Sequence, residues 1–446
     1  MLNLTFKKGI HPKHAKSRSE NRPIEILMPK GDITIMMQQH IGAPCKALVS
    51  VGDSVLVGQK IGESESFVSC PVHSTVSGTV KKITEVLHPS GSKSTGIIIE
   101  NDHLYNEIEM TPKDPYTMDK DAILGVIREA GIVGMGGAGF PTFIKLNPPS
   151  DKSIDHIIIN GAECEPYLTS DHRVMLEEAD RIILGLSVIL TLFPTARGVI
   201  AVENNKPDAI TRLTEALNEF KKTSKLPIAN NMSIAVLEAK YPQGAEKQLI
   251  YAVTQREVPS GKLPADAGCI VQNVDTVIAI HRAFFRGRPL MRRVVTVSGD
   301  LVKNPGNYKV RIGTSYREII EHAGGNLAES TKVISGGPMM GIAMFDVDVP
   351  TIKTSSSILL LSTAEMNDAQ ESPCIRCGKC VDACPMNLLP LDLDKYARNN
   401  ANELFEKYFG MNCIECGSCS YVCPSKRHIV QGIRTTRRTI MAQKRK

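Results

Sequence analysis

Eight of the chain's twelve cysteines fall in two runs of one spacing, CIRCGKCVDACP from Cys374 to Pro385 and CIECGSCSYVCP from Cys413 to Pro424. Each reads C-x2-C-x2-C-x3-C-P. Three thiolates at that spacing wrap one 4Fe–4S cubane, and the fourth, before proline, ligates the cubane of the other run. The expected ligand sets are Cys374, Cys377, Cys380 and Cys423 for one cluster, and Cys413, Cys416, Cys419 and Cys384 for the second. Gly378 and Gly417 let the backbone turn tightly and offer N–H groups to the sulfides. Zinc is the alternative, but zinc sites pair C-x2-C units rather than repeat a four-cysteine run ending in proline. Cys45, Cys70, Cys164 and Cys269 are scattered and read as small buried hydrophobes. The N-terminus MLNLTFKKGIHPKH has no apolar stretch of signal-peptide length, so the clustered thiols read as metal ligands in a reducing compartment.

Cubanes pass electrons singly. A two-electron donor such as NADH therefore needs a device that splits its hydride, and a flavin is the usual one. The stretch GIVGMGGAGFPTFIK, Gly131 to Lys145, is a candidate phosphate cradle. Gly134, Gly136, Gly137 and Gly139 allow close backbone approach, and Lys145 brings a matching charge. A tight structural turn explains the same glycines equally well, and the spacing is not that of a Rossmann fingerprint. Further on, IIINGAECEPYLTSDHRVM begins as a buried strand and then presents Asn160, Glu163 and Glu165. Carboxylates just past a strand end suit ligand hydroxyls or a cofactor amide; a solvated acidic loop is the alternative.

Together, Gly-x-Gly-Gly-Ala-Gly-Phe-Pro-Thr with its lysine and Asn-x-x-Glu-x-Glu-Pro resemble the flavin- and NADH-binding subunit of respiratory complex I. The resemblance implies that Gly134, Gly136, Gly137, Gly139 and Lys145 hold FMN phosphate, and that Asn160, Glu163 and Glu165 line the flavin and nicotinamide site. It extends more loosely to Glu203 in VIAVENN, Glu246 in YPQGAEKQL, and Asn273 with Thr276 in VQNVDT. Ala162 and Tyr167 stand where that family has Asp and Gly. Two further families join this flavin domain to a β-grasp module and two cubanes. One is the RnfC component of the Rnf complex, an ion-pumping ferredoxin:NAD+ oxidoreductase. The other is the cobalamin reductase of propanediol-utilising microcompartments. In RnfC a barrel-sandwich domain precedes the flavin domain, as it does here. GIHPKHAKS, QHIGAPCKALVSVGDSV and GGPMMG are also similar to stretches of RnfC. The A component of the sodium-pumping quinone reductase shares the first domain but lacks the cysteine runs.

The RnfC resemblance implies non-covalent FMN, two 4Fe–4S clusters, NAD(H) as substrate, and no general acid–base residue. It implies the membrane components of the complex as partners, ferredoxin as an indirect one, and a peripheral position on the cytoplasmic face of the membrane. The alternatives are a soluble NADH-dependent reductase, such as a cobalamin reductase, and a pure electron-relay module.

The elements that must position these groups read as a multidomain α/β and α+β chain. Its 446 residues, 42% hydrophobic and 22% charged, allow about three globular domains. After a basic, irregular segment 1–30, residues 31–114 have short Val-rich runs and glycine turns, resembling a biotinyl/lipoyl-like barrel-sandwich hybrid. The stretch ESFVSCPV, where a carrier lysine belongs, has none, so a scaffold is expected. Residues 115–290 alternate strands and helices as an α/β FMN/NADH domain. Residues 291–345 read as a β-grasp, SLBB-like module, 346–370 as a connection, and 371–425 as a helical two-cluster ferredoxin-like domain. LDLDKYARNNANELFEKYF, between the runs, predicts a helix ending at Gly410.

The most apolar stretch, Ile182 to Phe193, has 12 residues, short of the roughly 20 a membrane span needs, and reads as a buried helix. The net charge is +6, and eight Lys and Arg with no acid lie from Lys426 to Lys446. That 426–446 tail suits an anionic lipid surface or an acidic partner, with a solvated end as the alternative. No recognition motif accompanies the charge, so nucleic acid is not expected.

Overall fold

A computed structural model of the chain describes residues 4–330, 332–366 and 369–444. The flavin-type domain is built on a four-stranded parallel sheet, in the order Met232–Leu237, Arg197–Glu203, His156–Gly161, Cys269–Asn273. These strands are continuous apolar runs because both faces are covered. Ile157 and Ile159 face one core with helices Lys120–Glu129, Ala179–Leu192, Pro207–Thr223 and Val274–Arg286. Ile158 faces the other core with helix Glu246–Thr254. The apolar stretch at 182–193 forms most of the buried helix Ala179–Leu192. Gly185 lets it close on helix Val274–Arg286; a Cβ there would sit 2.3 Å from the Val277 carbonyl. Among the described residues no helix is long and apolar enough to cross a membrane.

The strand order reverses between His156–Gly161 and Cys269–Asn273. Such a switch point opens a crevice at the carboxyl ends of the strands, where α/β domains bind ligands. The loops after all four strands lie along that edge.

Ahead of this domain, two small antiparallel sheets form the barrel-sandwich hybrid. One orders Ile33–Met36, Lys93–Asn101, Gly78–Leu87, Ser54–Val55; the other Lys46–Ala47, Lys60–Glu63, Val72–His73. Their shared core includes Ile33, Ile35, Ile61, Val76 and Ile97.

The β-grasp sheet is larger than 291–345 alone would make it. Its six strands run Ile24–Leu27, Gly306–Arg311, Arg292–Ser298, Ser357–Leu361, Lys332–Ser335, Ile342–Met344. The stretch expected to be a connection, 346–370, thus supplies a fully buried inner strand, SILLL; an inner strand needs no polar face. The N-terminal segment supplies the edge strand Ile24–Leu27.

In the cluster domain the expected long helix is two, Pro390–Arg398 and Asn402–Lys407. It breaks at Asn399-Asn400, where Asn400 adopts a left-handed φ of 53° that asparagine tolerates. The tail is not a loose end. Ile429–Gln443 is a helix that buries Ile429, Ile433, Thr436 and Ile440 at helical spacing against the cysteine runs. Its cations are largely spent internally. Arg427 pairs with Asp394 at 2.6 Å, Arg434 and Arg437 with Glu415, and Lys444 with Glu406. Arg445 and Lys446 lie outside the described residues.

Candidate functional site: a glycine loop, a carboxylate edge and two cysteine pockets

The two cysteine runs fold alike. Arg376 and Glu415 take left-handed φ values of 56° and 57°, and Gly378 and Gly417 both have φ 78°. In each run the residue two past the first cysteine donates its N–H back to that sulfur, Arg376 to Cys374 at 3.4 Å and Glu415 to Cys413 at 3.3 Å. N–H groups turned toward the thiols suit an anionic iron–sulfur cluster.

Cys384 of the first run lines one apolar cavity with Cys413, Cys416 and Cys419 of the second. This is the grouping expected for the second cluster. Cys384, Cys416 and Cys419 are buried and Cys413 half-buried, whereas Cys374 and Cys377 are exposed, and Cys380 and Cys423 half-buried. Burial raises the Cys380 thiol above its ordinary proton affinity, and the nearby Cys374 and Cys423 act in the same direction. One set is therefore deep and the other faces outward.

The glycine loop sits at the switch point. The Met135 N–H donates to Thr276 Oγ1 at 3.0 Å, at the start of helix Val274–Arg286. Gly136 packs on Asn273, where a Cβ would come within 2.9 Å. Gly139 has φ +75 and lies against Gln39 and His40 of the barrel-sandwich domain. Gly134 has only the Phe140 backbone nearby, and a Cβ on Gly137 would meet nothing within 4 Å. At Gly137, then, neither packing nor backbone conformation accounts for glycine, and the space beside it is open for a bound group. Lys145 Nζ is 2.7 Å from Glu246 Oε1, both partly exposed on the same edge.

After strand His156–Gly161, Asn160 Nδ2 donates to the Gly244 carbonyl at 2.8 Å. Glu163 is buried and accepts from Ser170 Oγ and from the N–H groups of Asp171 and His172. Glu165 accepts from the N–H groups of Met339 and Met340 at 3.1 and 2.9 Å. Burial of its carboxyl pushes the pKa up to about 7, against those two N–H bonds. Glu203 is fully buried in a pair with Lys206 at 2.8 Å. Asn273 caps helix Val274–Arg286 and donates to Asp171 Oδ2 at 2.7 Å. Burial, then Glu163 and Asp275, raise the Asp171 carboxyl to about 7. The edge thus combines glycine N–H groups, a lysine, amides and carboxyl groups.

Several residues here give no signal of their own in the sequence. Lys16 comes from the irregular N-terminal segment, yet it is buried, donating to the carbonyls of Glu163 at 2.7 Å and Leu168 at 2.5 Å. Its Nζ is 3.7 Å from the Glu163 carboxylate. The same segment pairs Ile10 with Tyr241 through two backbone bonds of 2.9 Å. Tyr241, 1% exposed, donates its hydroxyl to the Cys416 carbonyl at 2.7 Å. Glu165 also touches that hydroxyl. GGPMMG makes a second bridge: Gly337 packs on the Glu165 carboxylate, and a Cβ on Gly417 would come 2.9 Å from the Met339 carbonyl. The only hint of these bridges in the sequence is the distinctiveness of GIHPKHAKS and GGPMMG as stretches.

Four family descriptions match the chain in order. They are the RnfC barrel sandwich hybrid domain over residues 4–104, the Nuo51 FMN-binding domain over 127–282, the SLBB domain over 294–343 and the 4Fe-4S dicluster domain over 373–427. Three relatives are the C components of ion-translocating complexes. The chain is 45% identical to that of the Na+-translocating ferredoxin:NAD+ oxidoreductase complex of Acetobacterium woodii, over 99% of this chain and 98% of that protein. It is 46% identical to that of the proton-translocating ferredoxin:NAD+ oxidoreductase complex of Clostridium ljungdahlii, over 96% and 93%. It is 40% identical to that of the ion-translocating oxidoreductase complex of Haemophilus influenzae strain PittEE, over 90% of this chain and 61% of that longer protein.

Proposed function

This chain belongs to the RnfC family, the C components of ion-translocating oxidoreductase complexes, and on that premise we propose that it carries electrons between NAD(H) and the membrane part of a ferredoxin:NAD+ oxidoreductase. In this reading the glycine loop would hold FMN non-covalently, the carboxylate edge would take NAD(H) beside it, and the two cysteine sets would each hold a 4Fe–4S cluster. FMN, when bound, supplies the exchange between a hydride and two single electrons. Gly134, Gly136, Gly137 and Gly139 with Lys145 hold its phosphate. Asn160, Glu163 and Glu165 line the ring and nicotinamide side, and Glu203, Glu246, Asn273 and Thr276 shape the wall. The chain binds and orients; hydride transfer needs no proton-donating side chain, and we assign none.

The order of the path is carried by one observation, the Tyr241 bridge. Its loop gives Gly244 to Asn160 and Glu246 to Lys145, and its hydroxyl bonds the Cys416 carbonyl. The deep set, Cys413, Cys416, Cys419 and Cys384, therefore adjoins the flavin, and the outward set, Cys374, Cys377, Cys380 and Cys423, faces a partner. We place that partner among the membrane components of the complex, with ferredoxin reached indirectly and the chain peripheral on the cytoplasmic face. An anaerobic spectrum of the purified chain, with FMN and iron assays before and after NADH, tests this. About one FMN and about eight irons, both chromophores bleaching with NADH, is the expected result. Iron without flavin and no response to NADH would reduce the chain to a relay fed from elsewhere.

A further inference from the structure

Four of the tail's six described cations are paired within the cluster domain, but another surface holds cations in excess. A cavity of about 320 Å³ is lined by Arg181, Arg282, Arg286, Arg288, Arg292 and Lys309. It lies at the carboxyl end of helix Val274–Arg286, roughly 20 Å along that helix from the glycine loop, at the seam with the β-grasp sheet.

Its charges do not balance. Glu178 accepts from Arg181, Arg282 and Lys309 at 2.8, 2.7 and 2.6 Å. Against the opposing effect of burial, Arg282 and Lys309 hold that carboxyl at about 2. Glu107 takes Arg288 at 2.6 Å. Arg286 and Arg292 have no side-chain hydrogen bond or ion pair among the described residues. Six cations thus share two carboxylates. Arg292 is half-buried, and its burial together with Arg288 and Arg282 lowers its proton affinity. Arg286 is exposed and Arg292 half-buried, so unpaired guanidinium groups line both the mouth and the wall of the pocket, which favours a bound anion.

We propose that this pocket binds a phosphate-bearing anion, gripped by Arg286 and Arg292. Planar guanidinium forks match phosphate oxygens two at a time, which lone lysines do not. Leu290, Met291, Pro289 and Ala279 supply an apolar floor for a carbon skeleton. The volume is at the small end of ligand pockets, suiting a phosphate group with a short attachment. A free phosphorylated metabolite and the headgroup of an anionic lipid present the same chemistry.

The test uses the full chain loaded with FMN and clusters. Calorimetric titration with pyrophosphate is paired with co-sedimentation on phosphatidylcholine vesicles, with and without phosphatidylglycerol. The variants are Arg286→Glu, Arg286→Gln as the milder change, and Lys444→Gln as a surface-charge control. Flavin content and melting curves confirm that each folds. Wild type and Lys444→Gln are expected to bind alike, and Arg286→Gln to weaken binding about tenfold or more. Pyrophosphate binding without vesicle binding assigns a soluble anion. Vesicle binding that needs phosphatidylglycerol, is displaced by pyrophosphate and is lost in Arg286→Glu assigns a lipid headgroup. Failure of both probes to bind, or binding that the Arg286 variants leave unchanged, overturns the proposal.

Discussion

Lys16→Met should destabilise the flavin-type domain far more than its position in an irregular N-terminal segment suggests. The ammonium is enclosed, with 6% of its side chain exposed and the Glu163 side chain 4% exposed. It satisfies two carbonyls and lies 3.7 Å from the Glu163 carboxylate. Removing it leaves that carboxylate near Asp171 without its ion-pair partner. Breaking a buried pair by deleting one partner costs about 3–5 kcal/mol. For a domain of 150–250 residues, roughly 2–4 °C per kcal/mol makes that a fall of about 6–20 °C in the melting midpoint. Thermal unfolding followed by far-ultraviolet circular dichroism is the assay. Lys8→Ala is the control, since Lys8 reaches the Val381 carbonyl from an exposed position. It should cost at most about 1 kcal/mol. A Lys16→Met protein that melts with the Lys8→Ala control would refute the claim that the segment is a buried strap over the site.

Lys145→Ala should release FMN while both clusters keep their iron. Its pair with Glu246 is partly exposed, so the fold should lose at most about 1 kcal/mol; flavin at full occupancy would refute the phosphate role. Cys384→Ala should remove iron from the deep cluster and spare the outward one, read by paramagnetic resonance of the reduced protein. Damage confined to the outward cluster would mean that each run ligates its own. Glu165 predicts a pH dependence. Its folded pKa, about 7, lies above the ordinary carboxylate value of 4.5, so the folded chain holds a proton there that the unfolded chain releases. Stability from this group is present below pH 4.5 and falls as pH rises to 7, by at most about 3 kcal/mol. Glu165→Gln should flatten the melting profile across that window in flavin-free protein; parallel profiles would sink the argument.

What the sequence made legible follows from how local the constraint was. A cubane dictates cysteine spacing within a dozen residues, so both runs could be read directly; Cys384 lines one cavity with Cys413, Cys416 and Cys419, as the proposed crossing requires. The glycine loop and the Asn160–Glu165 stretch are equally local. Lys16 and Glu163 are 147 residues apart, and Tyr241 and Cys416 are 175 apart. No periodicity announces such contacts; only the fold creates them. The SILLL strand is hidden because a serine and four apolar residues suit a strand or a helix equally. Asn399-Asn400 shows the reverse failure: apolar spacing on either side suggests one helix, and a left-handed asparagine divides it.

The tail shows why composition misleads. Counting charges makes 426–446 a basic extension, and deleting it would then leave the soluble chain intact. The helix Ile429–Gln443 argues otherwise. Ile429, Ile433 and Ile440 are at most 3% exposed, and Val430 and Ile433 form part of the wall of the deep cysteine cavity. Burying each isoleucine contributes about 1.5–3 kcal/mol, so their loss removes roughly 5–9 kcal/mol, comparable to the whole stability of a domain. Arg434 and Arg437 also tie the helix to Glu415, which lies between Cys413 and Cys416. Truncation after Ser425 should therefore cost the deep cluster its iron, while Lys426→Gln with Arg438→Gln keeps it. If membrane association is lost on truncation, the paired variant decides the reason. Association retained there would assign the loss to a collapsed cluster domain; association lost with iron intact would return those two cations to a docking role. A truncated chain with full iron would refute the helix as part of the cluster domain.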